Sequence, residues 1–138
     1  MGDGIAAGLV AAVLGGLPST AIAAARGQDP LESTRALGRI ALPGERRTLR
    51  LVLAAAPLHL GLSLGWGVVL AAVLPRRRTV AWGAVAGIGI AALDLGLARR
   101  TFPSIRDLEV PPQVADHVAF GVVVGAVVAR RRADRASD

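Results

Sequence analysis

One carboxylate, two imidazoles and a hydroxyl stand inside otherwise uncharged stretches of this 138-residue chain: Asp94, His59, His117 and Ser19, with Asp116 at the edge of the last stretch. An ionisable group within an apolar run must be neutral or partnered, and such residues mark candidate functional sites. Imidazole titrates near neutrality, so Asp94 with His59 or His117 could exchange a proton. The same groups could line a polar substrate site. Two neutral imidazoles could also ligate haem b, a cofactor that four-helix bundles hold. The plainer chemistry is hydrogen bonding between helices, or an ion pair from Asp94 to Arg99 or Arg100 folding back.

The elements that must position these groups are legible from charge. Residues 4–25 and 51–75 carry none, 79–98 carry only Asp94, and 117–129 carry none. A bilayer core of ~30 Å needs ~20 helical residues at ~1.5 Å each. The runs lack the alternation of a membrane strand. They predict an all-α polytopic membrane protein, a bundle of four transmembrane helices near 5–25, 51–74, 79–98 and 112–130, in one domain. At ~100° per residue, Ser19 falls on the face of Gly8 and Gly15, Asp94 on that of Gly83 and Gly87, and His117 on that of Gly121 and Gly125. His59 shares a stripe with Ser63 and Trp66, roughly opposite its own helix's glycines, which leaves its direction open. By depth, the four polar residues form one layer in the leaflet next to loops one and three.

Each span contains a GxxxG: Gly4 and Gly8, Gly61 and Gly65, Gly83 and Gly87, Gly121 and Gly125. Small residues let helices approach closely in lipid, so all four pairs are expected at packing faces. The segment Trp66-Gly-Val-Val-Leu-Ala-Ala-Val-Leu-Pro-Arg-Arg-Arg78 returns as Phe120-Gly-Val-Val-Val-Gly-Ala-Val-Val-Ala-Arg-Arg-Arg132, identical at eight of thirteen positions. It suggests two similar helical hairpins with both arginine clusters on one membrane face. In loop one, Asp29-Pro30 reads as a helix start, and Leu31, Leu37, Ile40 and Ala41 share a face. That predicts a short amphipathic helix over about 30–42 lying in the interface, ended by Pro43-Gly44. An ordinary solvated loop helix is the alternative.

The formal charge is +6, yet every basic residue is arginine and nearly all flank the apolar runs. That placement fits anionic lipid headgroups rather than nucleic acid, for which aromatic-basic interleaving is missing. With no cysteine, disulfides and thiolate metal sites are excluded. No catalytic residue, metal set or resident cofactor is assigned. Gly15-Gly-Leu-Pro-Ser-Thr20 lacks the lysine of a phosphate loop and reads as a Pro18 kink whose freed carbonyl a neighbouring hydroxyl helps satisfy. The amino-terminal run begins with Asp3 rather than a basic residue, which favours a retained span over a cleaved signal.

Loops one and three hold nine arginines against seven in loop two and the carboxy-terminal tail, so the positive-inside count nearly cancels. The compact clusters Arg76–Arg78 and Arg130–Arg132 favour both termini in the cytoplasm. Absent lysine and abundant Ala, Gly, Val and Arg point to a bacterial inner membrane. The glycine-rich first span ending in Leu17-Pro-Ser-Thr20, and the fourth opening Asp116-His-Val-Ala-Phe-Gly121, resemble small four-helix bacterial inner-membrane proteins of unknown function. That resemblance implies the fold and supplies no activity. Two function classes follow. One is a structural or accessory subunit or packing module, as a homo-oligomer or within a larger membrane complex. The other is a small transporter or proton-coupled channel using the Asp/His layer, with a haem b anchor as a minor variant.

Overall fold

The computed structural model describes residues 1–137, which are helical with short connections. The elements are α1 (Gly2–Leu14), α2 (Leu17–Ala25), α3 (Glu32–Ala41), α4 (Thr48–Val73), α5 (Thr79–Thr101), α6 (Pro103–Arg106) and α7 (Val110–Ser137). Four stretches are long and apolar enough to cross a membrane: α1 with α2, then α4, α5 and α7. The chain is a multi-pass helical bundle. Its last helix overruns the expected end at residue 130, carrying Arg130–Arg132 and Arg135 beyond the apolar part.

The spans pair as two antiparallel hairpins, each sealed backbone to backbone through glycine. A Cβ at Gly4 would lie 2.6 Å from Val68 Cα, and one at Gly8 2.6 Å from the Ser63 carbonyl, so α1 rests directly on α4. In the second hairpin, a Cβ at Gly83 would overlap the Gly121 carbonyl, one at Gly121 the Gly83 carbonyl, and one at Gly87 the His117 carbonyl. At Gly125 the nearest atom is the Thr79 carbonyl, 2.9 Å away. The expectation fails for Gly61 and Gly65, beside which nothing lies within 4 Å. On α4 the packing glycine is Gly67, with Gly4 O at 2.6 Å, because the buried stripe runs through Ser63, Gly67 and Leu70.

The hairpins are similar in detail. Superposing Trp66 on Phe120 by sequence sets Ser63 on His117 and Gly67 on Gly121, while Gly4 and Gly8 take the places of Gly83 and Gly87. Gly8 then meets Ser63 as Gly87 meets His117. Between the hairpins a core joins Ala7 and Ala11, Leu70 and Leu74, Ile90, and Phe120, Val124 and Val128, with Trp66 and Ala86 packed against it. Helix α1 lies against α7, whereas its counterpart α5 stays apart from α4. Side-chain size accounts for the asymmetry. Ala7, Ala11 and Gly15 line the close pair, and Ala86, Ile90 and Asp94 occupy the equivalent places in the wide one.

Connections are held by specific caps. Leu74 is extended, the conformation favoured before proline, and α4 ends there. Arg78 adopts φ 54, and the Thr79 hydroxyl donates to Pro75 O at 2.9 Å, closing the turn. At that end Arg132 donates to Ala71 O and Leu74 O, the free terminal carbonyls of α4. Asp3 accepts from both Arg131 and Arg135, so the two chain ends lie on one face with the arginine turn.

Loop one contains its expected short helix, held to the bundle by small residues. Asp29 accepts the Leu31 amide at 2.8 Å, and α3 starts two residues beyond Asp29-Pro30. Its buried residues are Ala36 and Gly38 rather than the larger apolar ones. A Cβ at Gly38 would overlap the Leu51 carbonyl, so the helix is docked on α4. Leu31, Leu37, Ile40 and Ala41 remain partly or fully exposed. Ser104 donates to Ala36 O and Gln113 to Ser33 Oγ, which ties α3 to loop three and α7 as well.

Candidate functional site: a polar layer between the hairpins

The site begins with a defect in the first span. Gly15 N–H closes a last α-type bond onto Ala11 O, after which Gly15 and Gly16 turn and α2 restarts at Leu17. Glycine lowers helix stability by about 1 kcal/mol, and Pro18 has no N–H to carry the ladder on. The break therefore starts one turn ahead of the expected Pro18 kink. It exposes backbone groups that lipid cannot hydrate. His59 Nε2 donates to Ala12 O at 2.8 Å, and the Ser19 amide donates to Asp116 Oδ1 at 2.8 Å. One broken end is thus capped from α4 and the other from α7. The Thr20 hydroxyl donates to Gly16 O at 2.9 Å, so a neighbouring hydroxyl does serve the break, at a carbonyl other than the one Pro18 frees.

The second group lies across the bundle. Asp94 Oδ2 accepts the Trp66 indole N–H at 3.2 Å and stands 3.7 Å from His117 Nε2. His117 Nδ1 bonds Gln113 O at 2.7 Å. A carbonyl only accepts, so the proton of that bond is on Nδ1 and Nε2 is left facing the carboxylate. The Asp94 and His117 side chains are 30% and 22% exposed, partly open rather than sealed.

All five expected polar residues therefore engage another helix or its end, but as separate groups. Asp94 and His117 meet, Ser19 meets Asp116, and His59 serves the α1 terminus. Asp116 is still near enough to both imidazoles for their charges to reach it. By helical rise, Asp94, His117 and Ser19 lie roughly 10 Å inside the ends of their helices that adjoin loops one and three. His59 lies deeper. Its direction, open in the sequence, is toward the end of α1, although the residue itself stays exposed.

Two participants escaped sequence reasoning. Trp66 was visible on the His59 stripe, and an indole N–H inside lipid needs an acceptor, which is the signal that could have found it. Gln113 is read only from the fold, because its backbone fixes the His117 tautomer while its side chain reaches α3. One nitrogen of each imidazole is hydrogen-bonded to a backbone carbonyl, Nε2 of His59 and Nδ1 of His117. Among the described residues no three His, Asp or Glu side chains converge as metal ligands.

Every buried side-chain nitrogen and oxygen among the described residues has a partner. Two concavities open at the surface, neither of them lined by a residue of the layer. One, of about 430 Å³, runs along Ala92, Leu95 and Gly96 to Arg99, Arg100 and Val114. The other, of about 470 Å³, is framed by Arg76, Thr79, Arg132 and Arg135. No family model, curated protein or solved structure matches this chain, so its own geometry is the guide to function.

Proposed function

We propose that the protein is a membrane scaffold: an accessory subunit or packing module of a bacterial inner membrane, with both termini in the cytoplasm. The observation that carries this reading is the use made of the polar layer. Ser19, His59, Trp66, Asp94, Asp116 and His117 are engaged in joining helices or capping a broken one. A transporter holds substrate-binding groups open toward a cavity near the midplane. Here neither concavity is lined by a residue of the layer.

A second reading, a small proton-coupled carrier, is favoured by the discontinuous first span, since such breaks commonly line transport sites. One pair of measurements separates the two. Purified protein in proteoliposomes carrying a pH-sensitive dye should pass no more protons than protein-free vesicles. Its native mass in membrane patches extracted without detergent should exceed that of one chain. A saturable flux abolished by Asp94→Asn would replace the scaffold with the carrier, and a monomeric mass would remove the accessory role.

A further inference from the structure

We propose that Asp94 and His117 together hold one exchangeable proton, making the α5–α7 hairpin a proton-binding site whose occupancy Trp66 senses. One tautomer of His117 is selected by its surroundings. Gln113 O keeps a proton on His117 Nδ1, so Nε2 is the nitrogen free to gain or lose one, and it looks at Asp94 Oδ2 across 3.7 Å. With no proton between them, a bare carboxylate faces a lone pair within an apolar span. With two, an imidazolium faces a neutral acid. With one, the pair is neutral overall, as acid beside imidazole or carboxylate beside imidazolium, and a low-dielectric setting favours that state. The indole N–H of Trp66 donates to the same oxygen, so the charge on Asp94 is written onto a fluorophore.

The surrounding charged groups are committed elsewhere. From α4, His59 serves Ala12 O; from α7, Asp116 receives the Ser19 amide; from α5, Arg99 donates to Ile105 O and Leu108 O of loop three. The first span contributes only Ser19 and Thr20 near this level, its carboxylate Asp3 being at the opposite end. Partial exposure of both side chains gives the proton a way in and out.

The duplicated architecture makes the site specific. At the equivalent positions the first hairpin has Gly15 for Asp94 and Ser63 for His117, and Phe120 stands where the other half has Trp66. A Cβ at Gly15 would lie 3.2 Å from Phe120 Cβ, repeating without polar groups the meeting of Asp94 with Trp66. The first hairpin thus has no ionisable group at either position, and its seam closes through small and aromatic residues instead. The stoichiometry is one proton per chain.

The test uses the full-length protein carrying Trp82→Phe, which leaves Trp66 as its one tryptophan. Its emission, followed in nanodiscs from about pH 5 to about pH 9, should show a reversible single-proton transition. Asp94→Asn and His117→Gln should each abolish that transition, and His59→Gln should leave it in place. Should those variants misfold, imidazole nitrogen NMR of the wild-type protein decides. His117 Nδ1 must stay protonated throughout while Nε2 changes state. Emission without a transition, a transition surviving both substitutions, or a neutral His117 with its proton on Nε2 would overturn the proposal. The scaffold reading has separate measurements, native mass and flux, so either idea can fail alone.

Discussion

Gly121 and Gly61 are the same residue in the same kind of motif, yet the fold treats them oppositely. A Cβ on Gly121 would be driven into the Gly83 carbonyl, where backbone meets backbone and no side chain can swing aside. Gly121→Ala should therefore lower stability by at least about 1–3 kcal/mol, the usual range for overpacking. Gly61→Ala adds a methyl where nothing lies within 4 Å, and should be neutral or stabilising by up to about 1 kcal/mol through helix propensity alone. Thermal unfolding of both variants in the same detergent checks the pair, and equal melting temperatures would refute the assigned faces. The GxxxG spacing was plain in the sequence. Which of the four pairs met a neighbour was not, because spacing sets a face and only the neighbour's position decides whether that face is covered. His59 shows the same limit: its stripe was evident, but its partner exists only because α1 breaks.

Among the elements, α3 owes its place in the bundle to its smallest residues. Its hydrophobic periodicity suggested a helix resting on lipid, while its docking depends on Ala36 and Gly38, whose smallness carries little weight in such a pattern. An acidic corner holds its start: Arg35 bridges Asp29 at 2.6 Å and Glu32 at 2.5 Å. The Leu31 amide, then Arg35, pull the Asp29 carboxyl below its ordinary range, and Arg35, then Arg39, do the same for Glu32. Both folded values are depressed, so their contribution is complete above the ordinary carboxylate range, about pH 4, and is lost as pH falls through the depressed values. Both groups are substantially exposed, so the effect is local loosening rather than global unfolding. Amide exchange in residues 32–41, corrected for intrinsic rates, should lose protection near pH 3 relative to pH 6 while α5 and α7 do not. Unchanged protection in α3 would mean that Gly38 and Ala36 hold it without the ion pairs.

For the whole molecule, the two hairpins enter from one face and return to it, and Asp3 is tied to Arg131 and Arg135 across that face. Reporter fusions after Arg78 and at the carboxy terminus should therefore agree, and on the proposed orientation both should read cytoplasmic. Matching periplasmic signals would invert the orientation and keep the hairpins. Opposed signals would contradict the four-span topology. The internal similarity also explains an arrangement that neither hairpin needs alone. With Ala and Gly on α1 and larger groups on α5, one seam between the hairpins closes and the other is bridged by Trp66 and Asp94.

The amino-acid sequence by itself determined the number of spans, their approximate limits, the turn at Pro75, the common end of the bundle for the arginine clusters and the similar depth of Ser19, Asp94 and His117 from the other end. These depend on hydropathy, helical rise and phase, which are local quantities summed along one helix. Tertiary structure decided that Gly67 rather than Gly61 and Gly65 packs, that α1 stops before Pro18, that α3 docks on α4, and that Asp94 meets His117 and Trp66 while His59 turns to Ala12. Those outcomes depend on how one helix is rotated and shifted against another. That rotation is set by where glycine permits backbone contact and where a broken helix leaves carbonyls and amides for a distant side chain to satisfy.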